Sequence, residues 1–270
     1  MTLLKKIILY AMLAVCAIIL MFPMMYAFLI SFLTGAELLQ GKWWPNDWSF
    51  RNYIVAFEKV PLAKYLWNSF LVSFIVMVGQ LIVSSLAAYA FVFLRFPGRN
   101  ILFFLTIATM LVPWEATVIP NYLTVQNLGW TNNYFGLTIP FFASAFGIFL
   151  LRQHFKTIPF ELYEAAQISG IKHFRFFWYV VLPLAKTSLT TLGIYSFLTT
   201  WNMYLWPLLV TNDERVRTVQ IGLKQMQTQE TATEWGVVMA AVVIVILPTL
   251  LLLFVGQKQL QKGLMQGAIK

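Results

Sequence analysis

Charge is scarce in this 270-residue chain. Asp, Glu, Lys and Arg together make up 11% of it, where a soluble domain carries roughly 25%. Acids are the rarest part: ten Asp and Glu stand against nineteen Lys and Arg, for a net charge of +9. Cysteine is nearly absent. The single Cys16 excludes an intrachain disulfide and any cysteine-based metal cluster. The two histidines, His154 and His173, are too far apart in sequence for a zinc pair and read as solvated loop residues. No nucleophile elbow, paired catalytic carboxylates, internal repeat or low-complexity stretch is visible. A phosphate loop is also missing. The best imitation, Gly35 to Lys42, has a gap one residue too long, and Trp43 follows where Ser or Thr would hold magnesium. The chain therefore reads as no enzyme, with no catalytic residue and no metal or cofactor site of its own.

What fills the space is apolar. Hydrophobic residues make up 60% and the mean hydropathy is +0.74. The fold class expected is an all-α integral membrane protein. A span needs roughly 20 apolar residues, and about six runs qualify, near 7–32, 66–93, 101–122, 134–150, 185–210 and 235–255. The third is expected to be interrupted at Pro113 and Pro120. The first run is long and lacks a small-residue cleavage site, so it reads as a retained helix rather than a signal peptide. Three parts are expected: 1–65 with the first helix and a Trp-rich outer segment, 66–257 with the remaining apolar runs, and 258–270 as a basic tail.

The basic residues set the orientation. With the N-terminus inside, twelve of the nineteen Lys and Arg fall on inner pieces, in accord with the positive-inside rule. Both termini are then cytoplasmic. Most remaining acids (Glu37, Asp47, Glu58, Asp213, Glu214, Glu230, Glu234) lie outside. So do Trp43, Trp44 and Trp48, which read as interfacial anchors or as contacts for a partner docked on the outer face. Arg95-Phe96-Pro97-Gly98-Arg99 is an inner reversal. Ser84, Ser85, Ala87 and Ala88 permit close helix packing.

Two places inside the apolar runs are chemically unusual. Glu115 is the one acid within a run. A charge at the bilayer centre costs about 2.5–3.5 kcal/mol on insertion scales. Glu115 either faces a wet cavity or sits solvated near the outer interface. The second place is Trp201-Asn202-Met203-Tyr204-Leu205-Trp206-Pro207. Helical spacing puts Asn202 and Trp206 on one face, with Trp201 and Tyr204 beside it. Aromatic faces next to an amide suit polyol-like solutes. An interfacial aromatic belt is the other reading. The expected substrate pathway is thus Glu115, Trp201, Asn202, Tyr204 and Trp206.

A polar island, 157–183, separates the fourth and fifth runs. Thr157 is expected to cap a helix whose first turn holds Pro159. Leu162, Ala165, Ala166 and Ser169 would form its small apolar face. Gly170 would end it in the left-handed conformation. A basic, aromatic segment follows, stopped at Pro183.

In this island Glu164-Ala165-Ala166, then Gly170, then Val180, Leu182 and Pro183 resemble the EAA loop of binding-protein-dependent (MetI-like) ABC-importer permeases. Arg95 to Gly98, Asn68-Ser69, Ala87-Ala88-Tyr89-Ala90, and Gly263-Leu264 with Gly267-Ala268 fit the same pattern. The resemblance runs from Pro23 to the tail. Val180 replaces the usual Ile. Ser169 replaces an Asp common before the Gly, so that Asp's role is not carried over. Within the carbohydrate group, Pro113-Trp114-Glu115, Leu182 to Thr187, Trp201 to Leu209 and Thr233-Glu234-Trp235 look most like the sn-glycerol-3-phosphate permease branch.

The resemblance implies a transport function: one permease of an ATP-driven importer that moves a sugar or glycerol-phosphate solute inward by alternating access. It implies ATPase coupling through Glu164, Ala165, Ala166, Gly170, Leu182 and Pro183. The implied partners are a second homologous permease, two ATPase subunits carrying ATP and magnesium, an outer solute-binding protein and membrane lipid, with no nucleic acid. The implied site is the cell membrane. Two alternatives stay open: an ion-driven secondary transporter, which would need ionisable relays in several helices, and an oligosaccharide as the solute. An anionic phosphate would not favour Glu115 in its path.

Overall fold

A computed structural model describes residues 3–227 and 234–266. Glu230, Thr233, Gly267, Ala268 and Lys270 lie outside them. Among the described residues there is helix and no strand. In chain order the helices are α1 (Leu3–Ile30), α2 (Gly35–Leu39), α3 (Arg51–Lys59), α4 (Leu62–Phe93), α5 (Arg99–Ala108), α6 (Trp114–Asn127), α7 (Tyr134–Thr138) and α8 (Ala145–Phe155). Then come α9 (Phe160–Ile168), α10 (His173–Phe176), a π-helical turn (Phe177–Val181), α11 (Leu182–Leu184), α12 (Lys186–Trp201), α13 (Leu205–Val210), α14 (Val219–Gln227) and α15 (Trp235–Gln266). Short 3₁₀ turns follow α5 (Thr109–Leu111) and α7 (Ile139–Phe141).

Stretches within α1, α4 and α15 are each long and apolar enough to cross a bilayer. Three bent pairs pass the same test together, which brings the number to as many as six. The bends are 102° between the α5 and α6 arms, 43° between the α7 and α8 arms, and 79° between His173–Leu184 and α12. The sequence expectation of about six apolar passes fits this range.

The chain divides into two compact units. One takes in the described residues up to Lys64 with Ile221–Pro248. Within it Asn52 donates from Nδ2 to the carbonyls of Ser31 and Leu33, both at 2.9 Å. Those carbonyls lie just past the end of α1, where helix geometry gives them no partner. The Thr34 hydroxyl accepts from the Glu37 N–H, and the Glu37 carboxylate accepts from the Thr34 N–H, a complete capping box. Glu37 also accepts from Asn46 N–H at 2.9 Å. This closes the segment that holds Trp43 and Trp44, whose rings stay exposed. Lys59 pairs with Glu234 at 2.9 Å.

The other unit takes in Tyr65–Gln220 and the described residues from Thr249 onward. Ser84, Ser85 and Ala88 on α4 are buried, as small packing residues should be, and Ala87 is half-buried. A Cβ on Gly147 would meet Ser84 Oγ at 2.5 Å, so the glycine lets α8 lie close against α4. Asn68 donates to the carbonyls of Arg215 and Arg217 and accepts from the Tyr134 hydroxyl. Ser69 accepts from Val219 N–H at 2.8 Å. Asn68 and Ser69 thus pin the segment that leads into α14.

Three local expectations are corrected, and the stretch after Thr211 adds a helix. Pro120 does not interrupt its run; it lies inside α6, and the break is at Pro113. The polar stretch after Thr211 contains α14, which buries Val219 and Met226 on one face. The tail beyond residue 257 stays helical to Gln266, with the Gln259 carbonyl accepting from Thr191 Oγ1 at 2.9 Å. Neither histidine is a free loop residue: His154 Nε2 lies 3.2 Å from the Leu184 carbonyl, and His173 bridges two tyrosines.

Candidate functional site

The first site is α9 and the turn after it. Its end is a Schellman motif: Ile171 N–H donates to Ala166 O at 2.8 Å and Gly170 N–H to Gln167 O at 3.0 Å. Gly170 has φ +74°, which a Cβ opposes. Nothing lies within 4 Å of where that Cβ would sit. The turn is therefore formed by backbone preference, with open space outside it.

The face that anchors α9 is not the expected one. Tyr163 and Ala166 are buried, in one cluster with Tyr89, Phe93, Phe155 and Phe176. Leu162, Ala165 and Ser169 are exposed. Tyr163 has more apolar area to bury than the small residues do, so it sets the rotation of the helix. Thr157 does not cap α9 either. Its hydroxyl donates to His154 O at 2.7 Å, and Pro159 holds the cap position without a side-chain bond.

With that rotation Glu164 is exposed and has no partner within the described chain. Ile168, at 89% exposure, stands out beside it. An exposed isoleucine thus stands one turn from an exposed carboxylate. Sequence reasoning missed Ile168, although an isoleucine one turn from Glu164 in a polar island was the signal. Glu164 also lines a cavity of about 510 Å³ whose walls include Arg95, Phe96, Gln167 and His173.

Two tyrosines tie this loop to the long helix α4. Tyr89 and Tyr163 hydroxyls each lie 3.3 Å from His173 Nδ1, and Tyr89 also donates to His173 O at 3.2 Å. Gln167 donates to the Tyr163 hydroxyl at 2.8 Å. Pro183 does not stop the segment after His173. Helix continues through it, and the π-helical turn just before it absorbs the irregular spacing. The bend comes at Ala185. Leu182 is half-buried and Pro183 exposed.

The second site is where two breaks meet. Helix α6 starts after Pro113 and carries Glu115 in its first turn, exposed and without a partner in the described chain. Helix α12 ends at Trp201, and α13 starts at Leu205. The break has a cause: Pro207 has no N–H for the Met203 carbonyl, and its ring crowds that position. Asn202 caps α12 by donating from Nδ2 to Leu198 O at 2.8 Å. The expected common helical face of Asn202 and Trp206 therefore does not exist. Asn202 is exposed and Tyr204 half-buried.

Trp201 and Trp206 offer no ring face to the surface of this unit. Trp201 stacks on Phe197, with centroids 5.9 Å apart. Trp206 is fully buried and donates from Nε1 to Gly136 O at 2.9 Å. Its ring packs against Trp114 and Phe141. So Trp206 joins α13 to both α6 and α7, and the carboxylate break and the amide break share one aromatic support.

Bent apolar helices with non-helical breaks between them are a feature of membrane transport proteins. Residues 80–266 match the family of binding-protein-dependent transport system inner membrane components. The chain belongs to that family, the permeases of ABC importers. It is 37% identical over 267 residues to an sn-glycerol-3-phosphate transport system permease of Yersinia pestis bv. Antiqua, covering 96% of this chain and 95% of that one. It is 39% identical over 259 residues to the permease of the same description in Brucella abortus, covering 92% of each. Its fold matches, at TM-score 0.86 and 28% identity, a crystal structure of a bacterial ABC transporter involved in the import of the acidic polysaccharide alginate. That match covers 94% of this chain and 96% of the other. The chain is thus a multi-pass cell-membrane permease of an ATP-driven importer.

Proposed function

We propose that this permease imports sn-glycerol 3-phosphate and is driven by separate ATPase subunits that grip the α9 loop. The observation that carries the coupling half is Glu164 beside bare Ile168 on a helix anchored by Tyr163 and ended by Gly170. Glu164, Ala165 and Gly170 form the contact, Ala166 anchors the helix beneath it, and Leu182-Pro183 set the segment behind it. A second permease completes the pore, and a binding protein delivers solute from outside. Both termini and the α9 loop are cytoplasmic, which the distribution of Lys and Arg favours. Glu115, Asn202 and Tyr204 border the solute route, with Trp201 and Trp206 buried behind them as supports.

The substrate half is supported by two permeases of that description, similar to this chain over almost its full length. A second reading, an acidic oligosaccharide, is supported by the fold shared with the alginate importer. Uptake of labelled sn-glycerol 3-phosphate by cells with and without the gene separates them. Loss of that uptake on deletion is the expected result. Unchanged uptake of glycerol phosphate, with loss of growth on an acidic oligosaccharide, would transfer the assignment to the second reading.

A further inference from the structure

Arg152 is out of place. It lies on α8, three residues before the helix ends, and is only 8% exposed. Its guanidinium carbon sits 3.7 Å from the centre of the Phe103 ring. The side chain makes no hydrogen bond and no ion pair with the described chain, and its Nε is buried without a partner. A cation–π contact offsets part of a guanidinium's desolvation but gives its N–H donors no hydrogen bond, and Nε is buried. Burying a charge without hydrogen bonds is costly. An anion beside the guanidinium would offset that cost.

The space for one is present. Arg152 lines a cavity of about 460 Å³ between α5 and α8, with Asn100, Phe103, Phe104, Phe149 and Lys156 in its walls. No acid lines it. The Arg152 guanidinium and the Asn100 amide, with aromatic rings beside them, make an amphiphilic lining. Phe104 is 71% exposed, and Leu105 on the same helix is also exposed, so the apolar wall continues onto the outer surface of α5.

We infer that this cavity holds the headgroup phosphate of an anionic phospholipid, with Arg152 as its principal ligand and an acyl chain lying along Phe104 and Phe149. Free phosphate shares the charge but has no use for the aromatic wall. Basic pockets between helices on the cytoplasmic side are where anionic headgroups bind. The inference rests on the cytoplasmic placement proposed above. Bound lipid would hold α5 to α8, and α8 leads directly into the coupling loop.

The test is native mass spectrometry of the purified, complete transporter, without ATP or solute, so its result does not depend on whether the transport assignment is right. Wild-type protein should retain phosphatidylglycerol about tenfold over phosphatidylethanolamine, the scale of a charge-assisted contact. Arg152→Gln should lose that preference. Millimolar inorganic phosphate should not displace the lipid. Equal retention of the two lipids by wild-type protein would overturn the inference, as when an acidic side chain of the second permease closes the cavity. So would a preference that survives Arg152→Gln, or displacement by inorganic phosphate. If Arg152→Gln does not assemble, the wild-type comparison of the two lipids decides alone.

Discussion

Trp114 and Trp206 meet edge to face, with ring centroids 5.7 Å apart and planes at 69°. Trp114 opens the helix that carries Glu115, and Trp206 follows the break that carries Asn202 and Tyr204. One aromatic contact therefore sets the spacing of two helix breaks. Replacing Trp206 with Phe keeps most of the packing but removes the donor to Gly136 O, at about 1 kcal/mol. Replacing it with Ala opens a cavity at about 3–5 kcal/mol. Thermal melting of the purified transporter should fall in that order, with uptake lost in the Ala variant. A melting temperature unchanged by Ala would remove Trp206 as a support.

Gly170 separates conformational strain from steric clash. A Cβ there meets nothing, so Gly170→Ala costs about 1–2 kcal/mol through φ alone. The variant should assemble with the second permease but retain less ATPase. Gly170→Asp should retain still less. Normal ATPase retention and normal stimulation by the loaded binding protein in Gly170→Asp would sink the coupling proposal.

The orientation is checked by labelling. With Cys16 replaced, a cysteine at exposed Ser169 should resist an impermeant thiol reagent in intact cells and react after lysis. Labelling in intact cells would put α9 outside and reverse the topology.

On the solute route, Asn202→Leu should leave the complex assembled and slow uptake. The same change removes the cap on Leu198 O, so melting should be recorded beside it. Glu115→Gln should not slow uptake in this way, because the amide keeps its hydrogen bonding. For an anionic solute the loss of charge should raise uptake. Wild-type transport by the Glu115→Leu, Asn202→Leu double variant would place both residues off the route.

The Glu37 carboxyl is held below its ordinary value, first by the Thr34 N–H and then by the Asn46 N–H. Its folded value is depressed, so the stability it adds is fully present above about pH 4.5. That stability is lost as pH falls through the lowered value. Amide protection across 34–46, relative to the unfolded chain, should fall only below about pH 4, and Glu37→Gln should lower it at neutral pH. Protection that is flat in both cases would show that the segment does not depend on this carboxylate.

Much of the protein was legible in one dimension because its solvent is the bilayer. A spanning helix must be apolar along its length, so composition and run length reveal it without packing information. Gly170 and Gly98 were equally plain, since a chain reversal with φ above zero favours glycine in any context. The Asn68-Ser69 pair was recognisable as a pattern. Its purpose, pinning the carbonyls of Arg215 and Arg217 and the N–H of Val219, involves residues about 150 positions away.

Rotation was what the sequence could not determine. On α9 the small residues and Tyr163 both repeat at helical spacing, and only the pocket formed by Phe93, Phe155 and Phe176 makes Tyr163 the buried one. Helix continuity was similar. Pro113, Pro120, Pro183 and Pro207 are the same residue, yet the first and last accompany breaks and the middle two lie inside helix. A proline removes one hydrogen bond and crowds one carbonyl wherever it occurs. Whether the helix then breaks depends on what packs around that carbonyl, and that is decided by the tertiary structure alone.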